Sequence, residues 1–138
     1  MEKDLQWQVR PEQILFSTGA KQSLINVLMA VLNPGDEVLL PAPYWVSYTG
    51  MIQMAEAKAV ILPSSAESGY KITAEALEAA ITPRTRMLLY SSPCNPSGAV
   101  LQREELEAWA EVLRKYPGIL VVSDEIYEHI RFEGSHCS

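Results

Sequence analysis

Short apolar runs alternate with longer amphipathic stretches along this chain. Four runs of three or four apolar residues predict β-strands at 38–40, 59–62, 87–90 and 119–122. The segments between these runs are too long for hairpin turns, which favours parallel strands joined by crossover helices. The pattern therefore predicts an α/β fold with a mainly parallel sheet, and it contains no internal repeat.

Helices are predicted in three longer segments. Apolar residues occupy most faces of 21–32, so a deeply buried helix is expected there, ending at Asn33-Pro34-Gly35-Asp36. A second helix is expected over 44–55, although Gly50 weakens it. The third is marked by a core stripe at i, i+3, i+4 and i+7: Leu106, Trp109, Ala110 and Leu113.

A fourth, shorter helix is expected after Thr73 and before Thr82-Pro83. Thr73 has the character of an N-cap residue, whose side-chain oxygen accepts a backbone N–H of the first turn. Ile72 and Leu77 flank it as a hydrophobic staple.

The strand at 119–122 ends in a carboxylate, Asp124, with a phenol at Tyr127. A run this short and β-branched is typical of a strand that is buried on both faces. An ionised Asp at its end must be solvated or paired, because burying it alone costs several kcal/mol. Ligands of α/β proteins collect beyond the carboxyl ends of parallel strands, so we expect a bound cation or cofactor beside Asp124.

Composition narrows the class of protein. Hydrophobic residues make up 48% of the 138 positions and charged residues 20%, which is normal for a globular domain and disfavours disorder. A net charge of −6 disfavours nucleic-acid binding, and no apolar stretch reaches the length of a membrane span. Two scattered cysteines, Cys94 and Cys137, fit a reducing, cytoplasmic setting.

Several polar residues carry no chemistry in this interpretation. His129 and His136 have no partners at metal-ligand spacing, so no metal site is expected. Cys94 has no histidine arranged to make it a nucleophile. Three glutamates of one segment are expected to form a solvated helix face: Glu104, Glu105 and Glu107.

The segment Thr18-Gly19-Ala20-Lys21 follows the apolar run 14–17, interpreted as a strand, and precedes a helix. Small residues there would let backbone N–H groups of the helix N-terminus approach an anion, with Lys21 adding a charge. A tight turn with a solvated lysine explains the same residues, since neither a P-loop nor a dinucleotide fingerprint is complete.

Two further loops follow strand ends. Trp45, in Pro41-Ala42-Pro43-Tyr44-Trp45, could stack on a flat ring or could be a core tryptophan. In Ser92-Pro93-Cys94-Asn95-Pro96-Ser97-Gly98, two prolines bracket Asn95, which offers a ligand both a donor and an acceptor. A plain turn is the alternative for this second loop.

Taken together, the segments resemble the class I/II pyridoxal-phosphate aminotransferases, most of all the bacterial aspartate aminotransferase subgroup. The resemblance runs from about Gln13 to Phe132 and rests on these motifs: Thr18-Gly19-Ala20-Lys21-Gln22, Asn33-Pro34-Gly35-Asp36-Glu37, Pro41-Ala42-Pro43-Tyr44-Trp45, Asn95-Pro96-Ser97-Gly98 and Ser123-Asp124-Glu125-Ile126-Tyr127. It implies a three-layer α-β-α sandwich with a mostly parallel, mixed sheet, as part of the fold type I large domain.

The resemblance also implies roles for single residues in binding pyridoxal 5'-phosphate. Gly19, Ala20 and Lys21 match the segment that holds the phosphate, and Asp124 matches the carboxylate that faces the ring nitrogen. Trp45 matches the residue that stacks on the ring. Asn95 and Tyr127 match the partners of the ring hydroxyl oxygen, and Trp45 and Asn95 would also contact substrate. Cis peptide bonds are expected at Ala42–Pro43 and Asn95–Pro96.

The same resemblance implies that residues 1–138 are part of a larger cofactor-binding domain. The family's catalytic lysine is expected beyond Ser138, and an N-terminal arm and a small domain are expected outside this chain. The implied activity is transfer of an amino group between an aspartate-like or aromatic amino acid and a 2-oxo acid, by a homodimer. This chain alone is expected to be inactive. A carbon–sulfur lyase and an aminotransferase-like sensor of a transcription regulator are the alternatives.

Overall fold

A computed structural model of the protein describes residues 9–130 and residue 137. A short 3-10 turn over Pro11–Gln13 comes first. Helices and strands then alternate: α1 (Ala20–Val31), β1 (Glu37–Pro41), α2 (Ser47–Met54), β2 (Lys58–Leu62), α3 (Ala74–Ala79), β3 (Thr85–Ser91), α4 (Arg103–Leu113) and β4 (Leu120–Asp124).

The four described strands form one parallel sheet in the order β2-β1-β3-β4. The register of β3 against β4 runs from Met87 opposite Leu120 to Ser91 opposite Asp124. Because the strands are parallel, their carboxyl ends lie along one edge of the sheet, where Ser91 and Asp124 are neighbours. The predicted strand positions and the parallel pairing are confirmed.

Successive residues of each strand point to opposite faces of the sheet and build two cores. One core joins Val38, Leu40, Met87 and Leu89 to α1 and α2. The other joins Leu39 and Leu88 to α3 and α4. This alternation confirms the predicted three-layer sandwich, with helices on both faces of the sheet.

The helix boundaries agree closely with the prediction except at α2. Thr73 caps α3 as expected, its hydroxyl oxygen accepting the N–H of Ala76 at 3.2 Å. The helix predicted over 44–55 begins only at Ser47, because the chain first runs through an irregular segment after β1. That segment carries Trp45 to the edge of the sheet where the strands end.

Three predictions about burial and local structure are wrong. Helix α1 is buried along one side only, with Leu24 and Leu28 covered and Met29 57% exposed, because no described element covers its outer side. Residues 14–17 form no strand, since no described strand lies beside them, and Phe16 is 94% exposed. Glu105 is not simply solvated: its carboxylate accepts from Lys71 Nζ and from the Gln102 N–H, both at 2.7 Å.

Strand β4 is also less buried than predicted. It lies at the edge of the described sheet, pairing with β3 alone, and Leu120 and Val121 are 40% and 45% exposed. The apolar run was therefore a sound indicator of a strand and a poor indicator of burial on both faces. Among the described residues, no helix is both long and apolar enough to cross a membrane.

Candidate active site

A glycine turn leads into α1 at the edge where the strands end. Gly19, the N-cap residue of α1, has φ +100° and ψ 161°, a backbone conformation that strains any residue with a Cβ. Its position lets the chain reverse sharply before Ala20 and Lys21. No side chain caps this end of the helix, so the positive end of the helix dipole is open to an anion.

Lys21 and Trp45 meet above this turn. The Lys21 ammonium nitrogen lies 4.9 Å from the centroid of the Trp45 ring, within the range of a cation–π contact. The Trp45 and Tyr48 rings meet nearly at right angles, with centroids 5.5 Å apart and planes 89° apart. The half-buried indole is thus held between a cation and a second ring, at a wall of a cavity rather than inside the core.

The proline-rich loop after β3 brings Asn95 to the same place. Asn95 Nδ2 donates to the Tyr127 hydroxyl oxygen at 3.4 Å, which places one amide and one phenol side by side. The loop is closed on itself by the Cys94 N–H to Ala99 O bond at 2.9 Å. The cis peptide bonds expected at Ala42–Pro43 and Asn95–Pro96 are confirmed, and a third, at Ser92–Pro93, was not predicted.

Asp124 lies at the end of β4 with both carboxylate oxygens engaged. Oδ2 accepts from the Tyr48 hydroxyl at 2.6 Å, and Oδ1 accepts from the backbone N–H of Ile126 at 3.2 Å. These two donors fix the carboxylate from one side. Each oxygen keeps a further lone pair, so the group can still accept from a ligand.

One cavity contains almost the whole predicted set. It has a volume of about 170 Å³ and is lined by Ala20, Lys21, Trp45, Tyr48, Ser91, Asn95, Asp124, Ile126 and Tyr127. Gly19 is the one predicted residue that does not line it; it forms the turn beneath. Asp124, Trp45 and Asn95 therefore border the same cavity.

The donor set of the cavity suits a flat, anionic, nitrogen-containing ring. The lining combines a cation beside an uncapped helix N-terminus, a carboxylate, an indole, an amide and a phenol. In addition, the Ser91 Oγ is buried and makes no well-formed hydrogen bond within the described residues. This hydroxyl lies beside the Tyr48 phenol and adds a polar atom to the cavity wall.

Sequence reasoning missed three residues of this cavity, the apolar Ile126 and two polar residues, Tyr48 and Ser91. Tyr48 follows Trp45 by three positions, a spacing that places two side chains on the same side of a helical turn. Ser91 ends β3, directly beside Asp124 in the sheet register. The spacing of Tyr48 from Trp45 was visible in the sequence, whereas the position of Ser91 beside Asp124 required the pairing of β3 with β4.

Other polar groups do not add a second centre. No group of three or more metal-ligating side chains occurs in the part of the chain that the structure describes. Cys94 Sγ donates to the Pro43 carbonyl at 3.2 Å, and His129 is largely exposed. His136 lies outside the described residues.

Comparison with known proteins agrees with this geometry. The family profile described as "Aminotransferase class I and II" matches residues 2–137. The chain belongs to the class I and II aminotransferases. This aminotransferase chain also has the α/β architecture of its solved relatives, as a crystal structure of the aspartate aminotransferase from Rhizobium meliloti demonstrates. That structure superimposes with a TM-score of 0.95 at 43% identity and covers 99% of this chain.

Two relatives known by sequence are similar over most of the chain. An aspartate/prephenate aminotransferase of Nitrosomonas europaea is 52% identical over 90% of this chain. A bifunctional aspartate and glutamate/aspartate-prephenate aminotransferase of Petunia hybrida is 52% identical over 87% of it. The chain covers 31% and 25% of these two proteins and 34% of the R. meliloti structure, so it spans about a third of their length or less.

Proposed function

We propose that this chain is the cofactor-binding core of a pyridoxal-phosphate-dependent aminotransferase, within the larger of the enzyme's domains. The observation that carries the proposal is the Asp124 carboxylate, held by Tyr48 at the wall of a cavity that Trp45 and Asn95 also line. When bound, the cofactor supplies an electron-accepting pyridinium ring for amino-group transfer. The remaining chemistry assigned to this chain is binding, orientation and charge placement.

Asp124 would face the nitrogen of the cofactor ring. An adjacent carboxylate favours the protonated form of a ring nitrogen, because opposite charges within a few ångströms stabilise each other. The Tyr48 and Ile126 donors keep the carboxylate aimed while leaving lone pairs for the ring N–H. This is the contact that lets the chain influence the electronic character of the cofactor.

The other residues would orient the ring. Lys21 and the N–H groups at the start of α1 would hold the phosphate, since an uncapped helix N-terminus and a lysine both favour an anion. The Trp45 indole would stack on the ring face. Asn95 and Tyr127, already in contact with each other, would both reach the ring hydroxyl oxygen.

The proposed substrates are an amino acid, aspartate-like or aromatic, and a 2-oxo acid, with a role in amino-acid biosynthesis. The names of the two relatives mention aspartate, glutamate and prephenate, which supports the aspartate-like donor. The proposal places the lysine that bonds to the cofactor outside the 138 residues. Among the described residues, Lys21 is the one lysine that lines the cavity, and its ammonium lies over Trp45. The proposal includes a cytoplasmic homodimer. Exposed Leu15, Phe16 and Val46, 74%, 94% and 78% exposed, would supply apolar contact area for assembly.

Titration with pyridoxamine 5'-phosphate tests this function. This form of the cofactor keeps the ring nitrogen, the ring hydroxyl and the phosphate, and it carries no aldehyde that could react with surface lysines. We expect saturable binding by calorimetry, and much weaker binding of pyridoxamine, which lacks the phosphate. Absence of saturable binding to the 138-residue chain would contradict the proposal.

A matched pair of lysine variants tests the phosphate end. Lys21→Gln removes the ammonium beside the cavity, whereas Lys115→Gln removes a surface lysine paired with Glu78. We expect Lys21→Gln to weaken binding of pyridoxamine phosphate and to leave that of pyridoxamine unchanged. Equal losses in both variants would indicate general attraction between the ligand and positive charge.

A further inference from the structure

Tyr48, the side chain that donates a hydrogen bond to Asp124, is not among the predicted site residues. Tyr48 is 1% exposed, and its ring packs in the core between the sheet and α1 and α2. Its hydroxyl nevertheless reaches the cavity and donates to Asp124 Oδ2 at 2.6 Å. A phenol that is buried everywhere except at its hydrogen-bonding tip has little freedom to turn.

Tyr48 also touches the other key group of the cavity. Its ring meets the Trp45 ring edge to face, at 5.5 Å between centroids. The two contacts come from different parts of one rigid side chain: the hydroxyl binds the carboxylate and the ring positions the indole. Tyr48 therefore links the end of β4 to the segment that precedes α2.

We propose that Tyr48 is a positioning residue that aims the Asp124 carboxylate at the ring nitrogen of the bound cofactor and sets the tilt of the Trp45 ring. This inference rests on the proposed function for the identity of the ligand. Its geometric part, the tie between Tyr48 and Asp124, stands in the protein without any ligand.

The direction of the hydrogen bond supports this role. Burial, then the hydrogen bond to Asp124, raise the pKa of the Tyr48 phenol, so the hydroxyl stays protonated and remains a donor throughout the neutral range. Asp124 Oδ2 therefore faces a fixed donor at 2.6 Å, and the other lone pairs of the carboxylate stay available to the ring nitrogen.

The first test separates positioning from simple packing. Tyr48→Phe keeps the ring and removes the hydroxyl, and Tyr90→Phe is the matched control, since Tyr90 packs edge to face on Trp109 in the opposite core. Each variant is titrated with pyridoxamine phosphate and with the analogue in which a CH group replaces the ring nitrogen. Circular dichroism and thermal unfolding check that each variant folds.

We expect Tyr48→Phe to weaken pyridoxamine phosphate binding about tenfold, the size of a lost hydrogen bond to a charged group. Binding of the CH analogue should be unchanged, because that ring has no nitrogen for Asp124 to face. Equal losses for both ligands, or no loss for either, would overturn the proposal. Tyr90→Phe should alter neither affinity.

A second test needs no ligand and so distinguishes failure of this inference from failure of the proposed function. In protein labelled with ¹³C at Cζ of tyrosine, the Tyr48 resonance is identified as the one lost in Tyr48→Phe. Asp124→Asn should shift that resonance and leave the Tyr90 resonance in place. If the Tyr48 resonance does not move, the tie is absent and the inference is wrong, whether or not the wild-type chain binds the cofactor.

Discussion

Each end of the sheet holds a carboxylate, and the two carboxylates differ in how completely the protein pairs them. Glu37, at the start of β1, is 2% exposed; it accepts hydrogen bonds from the Thr82 hydroxyl at 2.6 Å and Arg84 Nη2 at 3.2 Å, and it forms an ion pair with Lys58 Nζ at 3.6 Å. Asp124, at the end of β4, has two donors and borders a cavity. One group is saturated by the protein, and the other keeps capacity for a ligand.

This difference indicates that the Glu37 end of the sheet contributes stability and that the Asp124 end contributes ligand binding. The Thr82 hydrogen bond, followed by the charges of Arg84 and Lys58, lowers the pKa of Glu37 against the opposing effect of burial. Its interactions are complete within the protein, so its removal should cost stability alone. Asp124 should show the reverse, because its remaining interaction is made with a molecule from outside.

Asp124→Asn should have the largest effect, and it should fall on binding. The amide keeps the shape of the carboxylate but loses the charge that pairs with a protonated ring nitrogen. We expect affinity for pyridoxamine phosphate to fall about 100-fold, near the upper range for a charge-assisted hydrogen bond. Calorimetric titration measures the loss. An unchanged affinity would show that Asp124 does not contribute to binding and so differs from Glu37 in some other way.

Glu37→Gln should have the next largest effect, and it should fall on stability. The variant leaves Thr82, Arg84 and Lys58 around a neutral amide, and we expect the free energy of unfolding to drop by about 2 kcal/mol. Urea denaturation at neutral pH measures the change. Affinity for pyridoxamine phosphate should be unaltered, and a parallel loss of affinity would show that the two ends are coupled.

Trp45→Leu should reduce affinity about tenfold, because it removes a stacking face while keeping an apolar side chain. Trp109→Phe is the contrasting change, since Trp109 is buried in the opposite core and its indole N–H donates to Ile72 O at 3.3 Å. That variant should lower the melting temperature without altering affinity. Weaker binding of pyridoxamine phosphate in both variants would argue against separate roles for the two tryptophans.

The smallest expected effect is the pH dependence of the stability that Glu37 contributes. Because the pKa of Glu37 is lower in the folded protein than in the unfolded chain, its stabilisation is present above the unfolded value of 4.5 and is lost as pH falls through the folded value. The stability difference between wild type and Glu37→Gln should therefore shrink on acidification below pH 4.5. Denaturation curves collected across this range measure it, and a constant difference would contradict the assignment.

The strands, the helices and most of the cavity could be predicted from sequence, for identifiable reasons. Apolar runs bounded by proline and glycine mark β1 and β3, and the side-chain chemistry of Thr73 marks the start of α3. Burial could not be predicted in the same way. It depends on neighbours, and β4 and α1 lack cover within the described residues despite their apolar sequences.

The same limit applies to the cavity. Asp124, Asn95 and Trp45 stand out because a carboxylate at a strand end, an asparagine between two prolines and a tryptophan just after a strand are recognisable in the sequence itself. Tyr48 and Ser91 belong to the site because folding places both of them beside Asp124. Ser91 meets Asp124 through the pairing of β3 with β4, and Tyr48 meets it across 76 positions of sequence.

The position of β4 at the edge of the described sheet has a practical consequence. Within the described residues, β4 pairs on one side only, beside exposed Leu120 and Val121, and such an edge is a template on which a second extended chain can add. We therefore expect concentrated samples of the 138-residue chain to self-associate, which light scattering over a dilution series would measure.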